Sequence, residues 1–290
     1  MSIWLLIVLL LIGIYIYYFY LTTCECFKNL NYQGDFINPT EGTEYLKNLE
    51  EFNYYIRNTP KEQYSFISDG LLNENNTEEE YRKFYLSQLR PWLTIEISKI
   101  NKGLIQLYKE TDYYKRTWDT PWRFIKFSDK LEGGMPFTLG NVIMMPEKII
   151  NREIDEEYLE TLLHEKMHIL QKENKDLWYQ YIYQKLPWIK KLENLPKGFK
   201  ENYLFNPDGV DIGWKYIING KEYIPYLKWK GGVSPGIYNR EMDEDFREKM
   251  PVNNSWYHPM ELTATVLSKY PFNEMDSKIK KYFEMFKEIV

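Results

Sequence analysis

The chain of 290 residues contains two cysteines and three histidines. Cys24 and Cys26 stand together just after an apolar segment, and the remaining chain has no thiol at all. A disulfide scaffold and a thiolate-held metal are therefore excluded for everything downstream. Basic residues are not in excess either: 37 Lys and Arg stand against 42 Asp and Glu, giving a net charge of −5. With no basic stripe, no nucleic acid is expected as a partner. No internal repeat is visible, and the abundance of Tyr, Lys, Asn and Ile is read as compositional bias. The length suffices for one large domain or two small ones.

Only one long hydrophobic run is present, Ile3 to Leu21, uncharged throughout. As a helix it spans roughly 28 Å, close to the hydrocarbon thickness of a bilayer. Trp4 at one end and Tyr15, Tyr17, Tyr18 and Tyr20 at the other suit the two interfaces. No basic segment precedes the run and no small-residue cleavage site follows, so an uncleaved anchor is expected in place of a signal peptide. Residues 1–22 are read as a transmembrane anchor and 23–40 as a juxtamembrane tether. The expected location is a single-pass membrane protein with its N-terminal helix in the lipid bilayer. Lys28, Glu25 and Asp35 leave the positive-inside rule almost nothing to count, so the side of the membrane is undetermined.

Residues 41–290 form the expected folded body, helical over about 41–115. Thr43 is a candidate cap for a helix through about Arg57, ended by Asn58-Thr59-Pro60. Thr77 with Glu78, Glu79 and Glu80 opens another to about Lys109, broken near Pro91. Trp122–Phe127 alternates like a strand, and Asn141–Met145 is a short apolar run before Pro146. Asn151 or Asp155 caps the next helix, whose apolar side carries Leu159, Leu162, Leu163, Met167 and Leu170. Asn219-Gly220 marks a hairpin, with Pro225 making its second arm an edge strand at best. Two helices, about Pro259–Lys269 and Asp276–Ile289, end the chain.

Within the third of these helices lies His164-Glu165-Lys166-Met167-His168. Imidazoles at i and i+4 share one helix face and can meet one metal ion. Glu165 sits about 100° around the helix from His164, where it can touch a water on that metal. Two neutral nitrogen ligands with a general base beside them are what a zinc hydrolase requires. The competing reading is a pair of surface histidines on a charged face. A third ligand is needed, and the metzincin positions 171 and 174 hold Gln and Asn. That leaves Tyr257-His258-Pro259-Met260-Glu261-Leu262-Thr263-Ala264. In it either Glu261 or His258 is a candidate ligand, but His258 also suits a helix N-cap and Glu261 the N3 position.

A helix with HExxH followed by a second helix with Glu-x-x-Ala resembles the gluzincin group of zinc metallopeptidases. The resemblance covers about residues 135–270. It implies an α+β, zincin-like metallopeptidase domain with a small sheet and an active-site helix. It further implies Zn2+ held by His164, His168 and Glu261, with Glu165 as general base and peptide or protein as substrate. His258 would then stabilise the oxyanion, with Tyr257 as rival. The strand Asn141–Met145 would hold substrate backbone by strand addition. Thr265 follows Ala264 where several gluzincins have an acidic residue, so a carboxylate orienting a ligand histidine must come from elsewhere. Charged residues around HEKMH exclude an intramembrane protease. The alternative is a membrane-anchored structural or interaction protein with an inactive site.

Overall fold

The computed structural model describes residues 33–199, 203–208, 213–228, 234–238, 243–250 and 255–290. The run Ile3–Leu21 and its membrane assignment lie outside the described residues. No described helix is long and apolar enough to cross a membrane.

The body is mixed α+β with two four-stranded sheets. It begins inside the expected tether, because Asp35–Ile37 is a strand (β1). Three residues carry no local strand signal. They are held by parallel pairing with the distant β2, Arg123–Phe127, and by Gly34 N–H donating to Asn101 Oδ1 at 2.9 Å. Helix α1 spans Pro39–Asn48 and α2 spans Glu50–Asn58. The single helix expected from Thr43 is thus two, broken at Leu49, whose backbone is extended. The N-cap is Asn38, which accepts from Thr40 and Glu41 N–H, with Pro39 at the first helical position. Thr77 caps α3, Glu78–Ser87, in a reciprocal capping box with Glu80. The chain then breaks around Pro91 and resumes as α4, Thr94–Thr111.

In the first sheet the order is β1-β2-β4-β3, where β3 is Phe137–Leu139 and β4 is Val142–Pro146. β1, β2 and β4 run parallel, while β3 turns back antiparallel to β4. The alternation of β2 suggested one wet face, yet Phe124 to Phe127 are all buried. Even Lys126 is enclosed, with Nζ 2.7 Å from Glu96 Oε1, so the buried charge is paired.

Helix α5, Glu156–Glu173, is capped by Asp155, which accepts from Tyr158 N–H. It packs on β3 and β4 on one side and on α4 on another. Gly103 permits the second contact, since a Cβ there would lie 3.0 Å from Tyr158 Cε1. Helix α6 is Lys175–Lys185. The second sheet is antiparallel, β5 Ile189–Lys191, β6 Trp214–Ile218, β7 Lys221–Lys228 and β8 Ser234–Tyr238. Asn219 (φ 49°) and Gly220 (φ 75°) make the two-residue turn between β6 and β7. β7 is an interior strand, but it pairs with β6 over Lys221–Tyr223 and with β8 over Ile224–Lys228. Pro225 therefore sits where only one neighbour is bonded, which is how a proline is tolerated there. Helices α7 Glu244–Lys249, α8 Pro259–Lys269 and α9 Ser277–Phe286 complete the body. α8 packs closely along α5, and this pairing builds the site.

Candidate metal centre

His164 and His168 rise from one face of α5, one turn apart, and Glu261 comes from the first turn of α8. The two imidazole Nε2 atoms are 3.0 Å apart. Glu261 Oε2 lies 3.3 Å from His164 Nε2, and its Oε1 lies 3.4 Å from His168 Nε2. Bonds of about 2.0–2.1 Å to a tetrahedral zinc set ligand atoms about 3.3 Å apart, and each of these three contacts is near that value, the two to Glu261 being made by different oxygens of its carboxylate. They are the cluster of metal-ligating side chains found among the described residues. Helix α8 starts where it does because Pro259 occupies its first position and His258 caps it.

The electrostatics favour a cation between these atoms. Burial opposes charge on His168, but the Glu261 and Asp208 carboxylates outweigh it and raise its pKa to about 9. Burial likewise works against the Glu261 carboxylate, yet His168 and His164 hold it well below the usual range. A field that favours a proton on His168 Nε2 favours a metal ion at the same place.

Gln171, one turn beyond His168, fixes the imidazole. Gln171 Nε2 donates to Met260 O (3.0 Å) and Thr263 Oγ1 (2.9 Å) on α8. Its Oε1 is thereby turned to His168 Nδ1 at 2.9 Å, so Nδ1 is the donor and Nε2 points into the cluster. The expected orienting carboxylate is thus a carboxamide from α5 itself. The spacing from His168 was visible in the sequence, but the residue type was not the one anticipated. Replacing Gln171 by Leu leaves His168 Nδ1 without its acceptor; if the cluster holds zinc, its affinity is expected to fall about 10–100-fold, read by competition with a chromophoric chelator.

Glu165 is buried, 3% exposed, and its Oε2 has no hydrogen-bond partner among the described residues. Burial first, then the Asp208 carboxylate, push its pKa well above the ordinary range. His164, Glu165 and Glu261 open on a cleft of about 450 Å³. Tyr257 lines this cleft and accepts from Asn206 Nδ2 at 2.9 Å. Burial and the nearby Glu261 carboxylate raise its phenol well above the usual pKa, so it keeps its proton. His258 is placed differently. Its Nδ1 accepts from Met260 N–H at 3.1 Å as the helix cap, and its ring packs edge-on against Trp214. The structure therefore brings together His164, Glu165, His168 and Glu261, and keeps the His258 ring out of the cleft lining.

The expected strand addition at Asn141–Met145 is overturned, since β4 is paired on both sides, by β2 and β3. The sheet edge on that side belongs to β3, and it too is engaged. Thr138 N–H donates to Asp208 Oδ1 (2.7 Å), and Thr138 O accepts from Lys172 Nζ (2.7 Å). Gly140 N–H donates to Glu51 Oε2 at 3.2 Å, and Lys172 Nζ also bonds Glu51 Oε1 at 2.7 Å. Pro136 has no N–H to offer. Asn206-Pro207-Asp208 supplies both the Tyr257 contact and this edge cap. Its role rests on partners remote in sequence and had no local signal. No family model, curated protein or solved structure matches the chain.

Proposed function

We propose that the chain is a zinc-dependent metallopeptidase with a zincin-like catalytic domain, carried at a bilayer by the Ile3–Leu21 segment. The observation that carries this reading is the convergence of His164, His168 and Glu261, whose ligand atoms lie within 4.8 Å of one another, with a buried carboxylate oxygen of Glu165 beside them that has no hydrogen-bond partner among the described residues.

His164 Nε2, His168 Nε2 and a Glu261 carboxylate oxygen would hold the zinc. When bound, it supplies a Lewis acid and a water acidified towards neutrality. Glu165 accepts the proton of the attacking water and delivers it to the leaving amine nitrogen. Its burial keeps that carboxylate away from bulk water and from competing donors. Tyr257, protonated and facing the cleft, is the side chain suited to donate to the oxyanion that develops at the scissile carbonyl. His258 keeps the role of capping α8, which sets the position of Glu261 three residues on. Gln171 keeps His168 in the tautomer that leaves Nε2 free.

Removal of metal tests this reading. Cleavage of a mixed peptide library by the full-length chain is expected to stop on treatment with a zinc chelator and return on adding zinc. Cleavage indifferent to the chelator would sink it.

A further inference from the structure

The cleft carries a carboxyl that the hydrolytic mechanism does not use. Glu132 lines the same cavity as His164, Glu165 and Glu261, and it is 7% exposed. Its backbone is left-handed (φ 53°), a conformation that a non-glycine residue adopts at some cost and that recurs at functional sites. Glu132 Oε1 accepts a 2.7 Å hydrogen bond from Tyr55 Oη. The other carboxylates of the cleft have cations: Glu157 pairs with Arg152, Glu160 with Lys269, Asp208 with Lys172, and Glu261 with the two histidines. Apart from the general base Glu165, Glu132 alone of them pairs with no basic side chain among the described residues. A glutamine would bond Tyr55 equally well without burying an acid, so folding gives no reason for the carboxyl.

The neighbouring walls are apolar: Phe66, Phe137, Leu204, Phe205 and Leu227 line the same cavity. An apolar sleeve with a carboxyl in its wall matches a lysine or arginine side chain, which has an aliphatic stem and a charged tip. We propose that Glu132 is a specificity determinant that receives the cationic side chain of a substrate residue close to the scissile bond. The inference rests on the peptidase reading and adds the substrate class to it. Burial holds the Glu132 carboxyl at a pKa of about 8, so binding of the cation expels its proton to solvent as the ion pair forms.

The test is a peptide-library cleavage profile of the full-length chain, beside Glu132→Gln. The wild type is expected to prefer Lys or Arg at one position flanking the cut. Glu132→Gln should lose at least about tenfold in kcat/KM on those peptides and keep neutral ones within about threefold. The variant should also unfold at a higher temperature above neutral pH, since it buries no acid, which separates lost recognition from lost folding. Cleavage with no basic preference in the wild type overturns the assignment and leaves the peptidase reading standing. A preference that survives in Glu132→Gln also overturns it. A preference abolished by N-terminal acetylation would assign the carboxyl to an α-amine and overturn the side-chain assignment. No cleavage of any peptide overturns both readings.

Discussion

Glu165→Gln is expected to keep its zinc and lose peptide hydrolysis by about 10³-fold or more. The substitution preserves shape at a site that is 3% exposed, and it removes a carboxylate that burial already disfavours. The fold should therefore stand, with unchanged circular dichroism and an equal or higher melting temperature. Only the capacity to take a proton from water and give it to the leaving nitrogen is lost. Because Glu165 contributes no atom to the cluster of His164, His168 and Glu261, metal analysis of the variant should match the wild type. A variant with wild-type kcat/KM would remove Glu165 from the mechanism. One that lost both zinc and activity would instead give Glu165 a structural part in holding the metal.

Glu261→Ala has the second large effect, on the metal itself. It leaves two imidazoles, so zinc binding should weaken by more than the roughly 100-fold that loss of an orienting partner costs. It also changes the pH response of the chelated protein. His168 has its pKa raised to about 9 in the folded, metal-free chain, against an ordinary 6.5 when unfolded. The folded chain then binds more protons between those values, so this stabilisation is full below about pH 6.5 and is lost as pH rises through 9. In the same window zinc competes with that proton, and its affinity should rise with pH. Glu261 is the main carboxylate that sustains the shift, and its removal should flatten the pH dependence of chelated-protein stability. Denaturant titrations of the chelated wild type and variant at pH 6.5 and 9 read the difference. Equal slopes in the two proteins would contradict the charge arrangement.

The parts of this molecule that were legible in its sequence are those whose cause is local. The His164–His168 spacing fixes two donors on one helix face whatever surrounds them. Thr77, Asp155, Asp276 and the Asn219-Gly220 turn act within a few residues, and each appears where its chemistry placed it. Pro259 opens α8, and Glu261 then falls in the first turn by count. What escaped was set by distant partners. β1 is a strand only because β2 lies beside it, 88 residues away at the Asp35–Arg123 pair. Sheet order does not follow from sequence order, so nothing local in β4 reveals that β3 covers its outer edge. Asn206 reaches Tyr257 from 51 residues away, and Asp208 caps Thr138 from 70. Glu132 lies in a short turn with Gly133 and Gly134, and nothing local in the sequence there points to a cleft. For His258 the sequence allows a metal ligand, a helix cap or an oxyanion donor; its Nδ1 bond to Met260 N–H is that of the cap.

Zinc stoichiometry of the purified full-length chain tests the central claim most directly, measured beside His168→Ala and Glu261→Ala. About one zinc per chain is expected in the wild type, and little or none in either variant. A folded wild type that binds no zinc would contradict the account and leave the chain as an interaction protein with an inactive site.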